Sequence, residues 1–379
     1  ITTFSYDGDR RLHHDDRSLM HFHLPPPNAD LNRGYGQHIS KDDTRNEHLD
    51  ALCYSLMELG RDEALDRARR RADVVTWRGM ATRMCTALYE QRDGWEMNAM
   101  LVQGTMYIEE HLSPQMLVEK AQRRQGPATS SREEGLARLT YHGSSFESWS
   151  THTPSSRPFD YARDDPWSGI PNTNTQWCSV VKTRLGSSRL ILGGEVDCVD
   201  ERGQKVELKT SMVIRNERDT MRFEEKMLRF YMQSFLLGVG RVLVGFRDAK
   251  SGRLQATHDF STLEIPKLVR GKPHAWDPQA GLNLADAMLN FARETILQDE
   301  EAKRGDGGGD DSDTAERNAT PPVYRLSFSP TTHTLSVTRL TPQQVSNEVV
   351  GKGEGDIERV GFLPASFYEW AMQRQRPEA

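Results

Sequence analysis

Apolar side chains recur at helical spacing in several stretches of the 379-residue chain. Leu49, Leu52, Leu56 and Leu59 predict a helix over residues 46 to 72, ending in an Arg-rich turn at 68 to 71. Trp77, Met80, Met84 and Leu88 predict a second over 77 to 90. The clearest runs from 219 to 237, where Phe223, Met227, Phe230, Ser234 and Leu237 mark one face and Gly238 supplies a stop. Another is expected over 279 to 300. Elsewhere the period is that of strands. Residues 95 to 110 read as two strands broken at Gly104, and 141 to 149 as one more. Residues 177 to 185, 188 to 199 and 205 to 214 read as consecutive strands with a turn at 200 to 203, followed by 241 to 248 and a hairpin over 323 to 340. Polar runs at 121 to 135 and 150 to 175 predict surface loops, and residues 1 to 45, with three prolines at 25 to 27, predict irregular structure with a short strand or two. The pattern implies an α+β fold of mixed, twisted sheets flanked by helices, in one domain over 1 to 379 with flexible loops at 150 to 175 and 303 to 320.

Composition narrows the class. No run approaches the roughly 20 apolar residues of a membrane helix, and the start of the sequence lacks a secretory signal, so a soluble intracellular protein without a membrane partner is expected. Cys53, Cys85, Cys178 and Cys198 form no C-x-x-C pair, which argues against a zinc knuckle or a disulfide framework. The net charge of −6 gives no global signal for nucleic acid, and part of it lies in the acidic, Gly-rich segment 305 to 313, which reads as a linker. Any nucleic-acid binding must therefore be local. His13, His14, His21 and His23 lack the carboxylate or thiol companions of a metal site.

Candidate chemistry lies in two short strings. In a strand, side chains two apart share a face, so E-V-D brings Glu195 and Asp197 together and E-L-K brings Glu207 and Lys209 together. A short connection would set the two pairs side by side. Three carboxylates and one ammonium on one face repel unless a hard divalent cation with oxygen ligands offsets them, and such a set suits phosphodiester hydrolysis. Taken alone, the strings are better explained by a solvated hairpin carrying cross-strand ion pairs.

Other segments add weight. The chain carries, in order, W-R-G at 77 to 79, G-x-φ-x-φ-E at 104 to 109 with φ apolar, Y-H-G-S-S-F-E at 141 to 147, E-V-D, E-L-K, and a helix end with Gln233 followed by a G-F-R strand with Arg247. In this order of motifs the sequence resembles the DXO family of decapping nucleases, most of all its fungal nuclear members that partner the 5′-3′ exoribonuclease. Ser144 and Ser145 depart from the bulkier, more basic pair expected there. The likeness is strong to about residue 265 and weaker to the end.

The resemblance implies a PD-(D/E)XK-type nuclease core. It implies that Glu109, Asp197, Glu207 and the Leu208 carbonyl bind metal, that Glu195 binds a second ion or its water, and that the cofactor is Mg²⁺ or Mn²⁺, as two ions. Lys209 would contact the attacking water or the scissile phosphate, and Gln233, Arg78 and Arg247 would contact substrate. Without the resemblance, Gln233 has the plain reading of a helix-surface amide, and Arg78 and Arg247 that of structural ion pairs. Lys226 and Arg229 share a helix side with Gln233 and form either an RNA-tracking stripe or a solvated one. Trp77, Trp95 and Trp177 fit core packing better than base stacking. The implied activity is hydrolysis at RNA 5′ ends that are unprotected or incompletely capped: removal of pyrophosphate, an unmethylated cap or an NAD cap, with 5′-3′ exonuclease action in some members. The alternative is a chiefly stabilising and activating partner of the nuclear 5′-3′ exoribonuclease. A nuclear location, with a cytoplasmic pool, is the matching expectation. A DNA-directed nuclease on the same core would lack the W-R-G and G-F-R context.

Overall fold

The computed structural model describes residues 1–90, 92–125, 131–155, 159–305, 321–350 and 357–374. Two mixed sheets carry the fold. The first has nine strands: β1 (Thr2–Tyr6), β2 (Leu12–His13), β4 (Val74–Trp77), β5 (Trp95–Val102), β6 (Thr105–Glu110), β8 (Gln176–Leu185), β9 (Ser188–Glu195), β14 (Val323–Ser329) and β15 (Thr334–Arg339), in spatial order β15-β14-β5-β6-β4-β9-β8-β1-β2. The second has six: β3 (His21–Phe22), β7 (Thr151–His152), β10 (Cys198–Val199), β11 (Lys205–Met212), β12 (Arg241–Arg247) and β13 (Leu254–Ser261), ordered β13-β12-β11-β10-β3-β7. Pairing is mostly antiparallel, but β4 runs parallel to both β6 and β9, β3 parallel to β10, and β11 parallel to β12.

Helices fill the space around the sheets. α3 (Arg78–Thr86), α6 (Glu217–Leu237) and α7 (Pro278–Gly305) meet in a core that takes Leu190 and Leu192 from the first sheet and Val242 and Val244 from the second. On the opposite face of the first sheet, α1 (Asp50–Leu59) and the helix Ala365–Met372 cover Val75, Val180 and Ile191. α5 (Ser131–Ser150) lays Phe146 and Trp149 on Val206, Leu208 and Leu243 of the second sheet. Because Val206 and Leu208 are committed to that cluster, the strand period turns Glu207 and Lys209 to the other face. Asn216 caps the start of α6 through its side chain, and Gly238 ends it at φ 66°, a conformation that glycine adopts without strain. Among the described residues no helix is long and apolar enough to cross a membrane.

Several expectations need correcting. The helix over 46 to 72 is two, α1 and α2 (Glu63–Arg70): Asp62 caps a new helix through Ala64 N and Leu65 N, and the Trp370 ring leaves Gly60 no room for a Cβ. Of the polar run at 121 to 135, residues 121–125 end α4 (Pro114–Gln125) and 131–135 open α5, since Glu, Lys, Gln and Arg are good helix formers that need no buried face, while 126–130 lie outside the described residues. Residues 141 to 149 are helical, with Tyr141, Ser145, Ser148 and Trp149 buried at helical spacing; glycine and serine mask the period. The stretch 188 to 199 is not one strand. β9 stops at Glu195 and β10 starts at Cys198, so Val196 and Asp197 form the crossing between the sheets. Between 150 and 175, Ser150 ends α5, Thr151–His152 form β7 and the other described residues are irregular apart from an isolated bridge of Asn172 to Ile39, while most of the 303 to 320 segment lies outside the described residues.

Phe146 is fully buried and its ring abuts Gly245. Phe146→Ala should cost about 3–5 kcal/mol of unfolding free energy in a denaturant titration; a loss below about 1 kcal/mol would show that α5 is not held by this contact.

Candidate active site

The crossing at Val196 does the assembling. Val196 is buried as β9 leaves the first sheet, which leaves Glu195 at the end of one sheet and Asp197 at the entrance of the other. β10 and β11 pair antiparallel with Cys198 opposite Val206, so Asp197 comes beside Glu207, and its Oδ2 accepts the Leu208 N–H at 2.6 Å. Lys209 Nζ lies 2.5 Å from Glu207 Oε1, and Arg78 Nη1, from the first turn of α3, lies 3.7 Å from Glu207 Oε2. Arg78 Nη1 also donates to the Gln233 carbonyl at 3.4 Å, tying α3 to α6 beside the acids. Glu207 Oε2 is a buried oxygen with no hydrogen-bond partner among the described residues.

Sequence reasoning missed one member. Glu147, on the turn of α5 that follows Phe146, joins the field of Asp197, Glu195, Lys209 and Glu207. Desolvation, then Asp197 and Glu195, push its carboxyl well above the usual range. Desolvation, then repulsion from Glu207, push Asp197 up to about 7. Glu195 is raised by desolvation and Glu207 in the same way. Glu207 alone is lowered: burial opposes its charge, but Lys209 and Arg78 outweigh it. Lys209 is raised because Glu207 and Asp197 overcome its desolvation. The signal for Glu147 was present in the sequence, since residues 143 to 147 run from a glycine to an apolar-acid pair, as residues 104 to 109 do.

Glu109 stands apart. It is buried in β6, where its Oε2 lies 2.8 Å from His48 Nδ1 and its Oε1 accepts from Asn98 Nδ2 at 2.8 Å. It shares with Glu195 the wall of a cavity of about 370 Å³ that also includes His48, Trp77, Arg10 and Lys41. The structure thus brings Glu195, Asp197, Glu207, Lys209, Arg78 and Glu147 together, with Gln233 half-buried beside Arg78, and sets Glu109 in a separate hydrogen-bonded group. Arg247 closes β12, buried, and forms none of the ion pairs found among the described residues; its Nε and Nη1 lack hydrogen-bond partners there. Arg229 is engaged by Glu90 through two hydrogen bonds of 2.9 and 2.5 Å, which ties that end of the basic helix side, while Lys226 is exposed. Trp95 and Trp177 are buried, and Trp77 packs on the second core with its Nε1 donating to the His48 carbonyl.

The donor set suits a hard divalent cation. It offers carboxylate oxygens, one of them without a hydrogen bond among the described residues, in a site whose acids repel one another strongly enough to lift three of their four pKa values. Among the described residues no group of three His, Cys, Asp or Glu side chains is arranged to hold an ion, and Lys209 and Arg78 lie against Glu207 instead.

Residues 1–368 match the RAI1 like PD-(D/E)XK nuclease family. The decapping nuclease RAI1 of Mycosarcoma maydis is 36% identical, covering 99% of this chain and 87% of that protein. The human decapping and exoribonuclease protein is 36% identical over 78% of this chain and 74% of its own length. The solved structure of Candida albicans Rai1 in complex with pU5-Mn²⁺ superposes with a TM-score of 0.77 at 23% identity, covering 98% of this chain and 94% of that one.

Raised carboxyl pKa values fix a sign for stability. In the metal-free folded state Asp197 keeps its proton up to about pH 7, whereas in the unfolded chain it is lost near pH 4, so the folded state holds more protons across that window and stability falls as pH rises through it. Glu207, being lowered, acts in the opposite sense but only at more acid pH. The thermal midpoint in a chelator should therefore decline from about pH 5 to pH 8, and Asp197→Asn should flatten the decline. An equal slope in wild type and variant would contradict the assignment.

Proposed function

The chain belongs to the RAI1-like PD-(D/E)XK nuclease family, and from that premise we propose that it is a metal-dependent hydrolase acting at RNA 5′ ends in 5′-end quality control. One observation carries the reading to this site: Glu207, paired with Lys209 and Arg78, lies beside Asp197 within a group of four mutually repelling acids. A bound hard divalent cation supplies Lewis-acid activation of water and offsets the charge of the phosphate.

The chain's own residues supply the rest. Asp197, Glu207 and Glu195 are the metal-binding carboxylates of the proposal, with the Leu208 carbonyl assisting and Glu147, in place of Glu109, as the fourth acid. Lys209 keeps its proton against burial, so Nζ is a cationic donor that orients the attacking water and steadies charge on the phosphate. Arg78 offers a second fixed charge at the opposite oxygen of Glu207, placed to hold a phosphate oxygen. Gln233 is the neutral donor from α6. Arg247, buried without a carboxylate partner among the described residues, favours the substrate role over the structural ion pair.

Finer parts of the proposal rest on family membership. The substrates are RNAs with a 5′ triphosphate, an unmethylated cap or an NAD cap, with 5′-3′ exonuclease action alongside. The cofactor is Mg²⁺ or Mn²⁺, as two ions; the Candida protein was solved with Mn²⁺ and pU5. The location is the nucleus, with the 5′-3′ exoribonuclease as partner. A full set of acids around Lys209 favours catalysis over a scaffold.

Incubation of triphosphate, unmethylated-capped, NAD-capped and monophosphate RNAs with Mg²⁺ or Mn²⁺ tests this directly. Wild type should release 5′ products that a chelator abolishes, and Asp197→Ala with Glu207→Ala should lower the rate by at least about a thousandfold. Folded, metal-supplemented wild type that releases nothing from any of these RNAs would sink the catalytic reading and leave the exoribonuclease-partner role.

A further inference from the structure

Glu195 differs from Glu207 in how it is held. Glu207 meets cations directly, whereas the Oε2 of Glu195 accepts a hydrogen bond of 2.8 Å from the neutral Nε2 of Gln176. A neutral donor fixes the direction of a carboxylate without cancelling its charge.

The orientation of that amide is itself enforced. Arg10 Nη1 donates to Gln176 Oε1 at 2.5 Å. Arginine is a donor only, so the amide oxygen must face it and the NH₂ group is turned to Glu195. Arg10 is immobilised in turn: Nε and Nη2 grip the two oxygens of Glu47 at 2.7 and 2.8 Å, Nη1 also donates to the Asn174 carbonyl at 3.0 Å, and the guanidinium lies 3.6 Å over the Tyr6 ring. Lys41 Nζ adds a contact of 2.5 Å to Glu47 Oε2. Arg10 sits in the turn between β1 and β2 at φ 65°, a left-handed conformation unusual for arginine. Strain of this kind persists where the surroundings over-determine it. Strand register completes the set, since Gln176 pairs with Tyr6 while Cys178, two residues on, pairs with Glu195. All of these residues except Asn174 line the cavity of about 370 Å³ on which Glu195 opens.

We propose that Gln176, oriented by Arg10 and Glu47, is a positioning residue that aims Glu195 at the metal site through a neutral hydrogen bond rather than a direct ion pair. The first-sheet edge and the turn at Arg10 then act on the active centre through Glu195. This rests on the metal-binding reading of Glu195 given above.

The test uses the whole chain without RNA, reading free Mn²⁺ by electron paramagnetic resonance. Gln176→Met keeps length and removes the hydrogen bond. It should raise the midpoint for Mn²⁺ binding by about tenfold and lower kcat similarly, with KM for triphosphate RNA within about twofold and the thermal midpoint nearly unchanged. Arg10→Lys, which loses the fork, should shift the Mn²⁺ midpoint in the same direction by a smaller factor, and it carries the test if Gln176→Met does not fold. Glu195→Gln separates the two possible failures. If it shifts Mn²⁺ binding while folded Gln176→Met and Arg10→Lys do not, the positioning role is overturned and the metal reading stands. If Glu195→Gln leaves Mn²⁺ binding unchanged, the metal reading of Glu195 fails and the positioning role falls with it.

Discussion

Mutual repulsion among acids is the constraint on which this structure turns. Glu147, Glu195, Asp197 and Glu207 are packed close enough that desolvation and one another's charge lift three of them above their ordinary range, and only Glu207 is held down, by Lys209 and Arg78. Folding the chain without a cation therefore concentrates charge that unfolding would disperse. That arrangement is unfavourable in itself, and a hard cation bound among these acids would offset it.

Two sheets are needed to create it. A single hairpin could present Glu207 and Lys209, but Glu195 ends a strand of the nine-stranded sheet while Asp197 opens the six-stranded one. Val196, buried between them, is the hinge of that geometry. α5 then lays Glu147 on the second sheet through Phe146, and α3 brings Arg78 from the end of β4. The acids are thus delivered by separate elements, each pinned by its own hydrophobic contacts, and their closeness is sustained by the cores on either side rather than by attraction among themselves.

Much of this was legible from periodicity. The strands at 95 to 110, 177 to 185 and 205 to 214, the long helix ending at Gly238 and the late hairpin follow from simple patterns, because each buries one face. Legibility failed where polar residues fill a helix. α4 and the first half of α5 carry many charged and polar side chains, and Gly143, Ser144 and Ser145 obscure the helical period just before Phe146 and Glu147. It failed again at Glu195 to Asp197, where alternation suggests a continuous strand and nothing local reveals a change of sheet. The link from Arg10 and Glu47 through Gln176 to Glu195 spans residues up to 185 apart along the chain, and no short-range pattern encodes it. Glu109 and Glu147 each follow a glycine and an apolar residue in the sequence, and the fold separates them, giving Glu109 to His48 and Asn98.

The choice between those two glutamates is the most direct test of the account. Calorimetric titration of Mn²⁺ into wild type, Glu147→Gln and Glu109→Gln, each checked for folding, compares them without dependence on any RNA. The account predicts that Glu147→Gln weakens Mn²⁺ binding by at least about tenfold while Glu109→Gln changes it less than about twofold. Loss of binding in Glu109→Gln with none in Glu147→Gln would contradict it and return the fourth acid to β6.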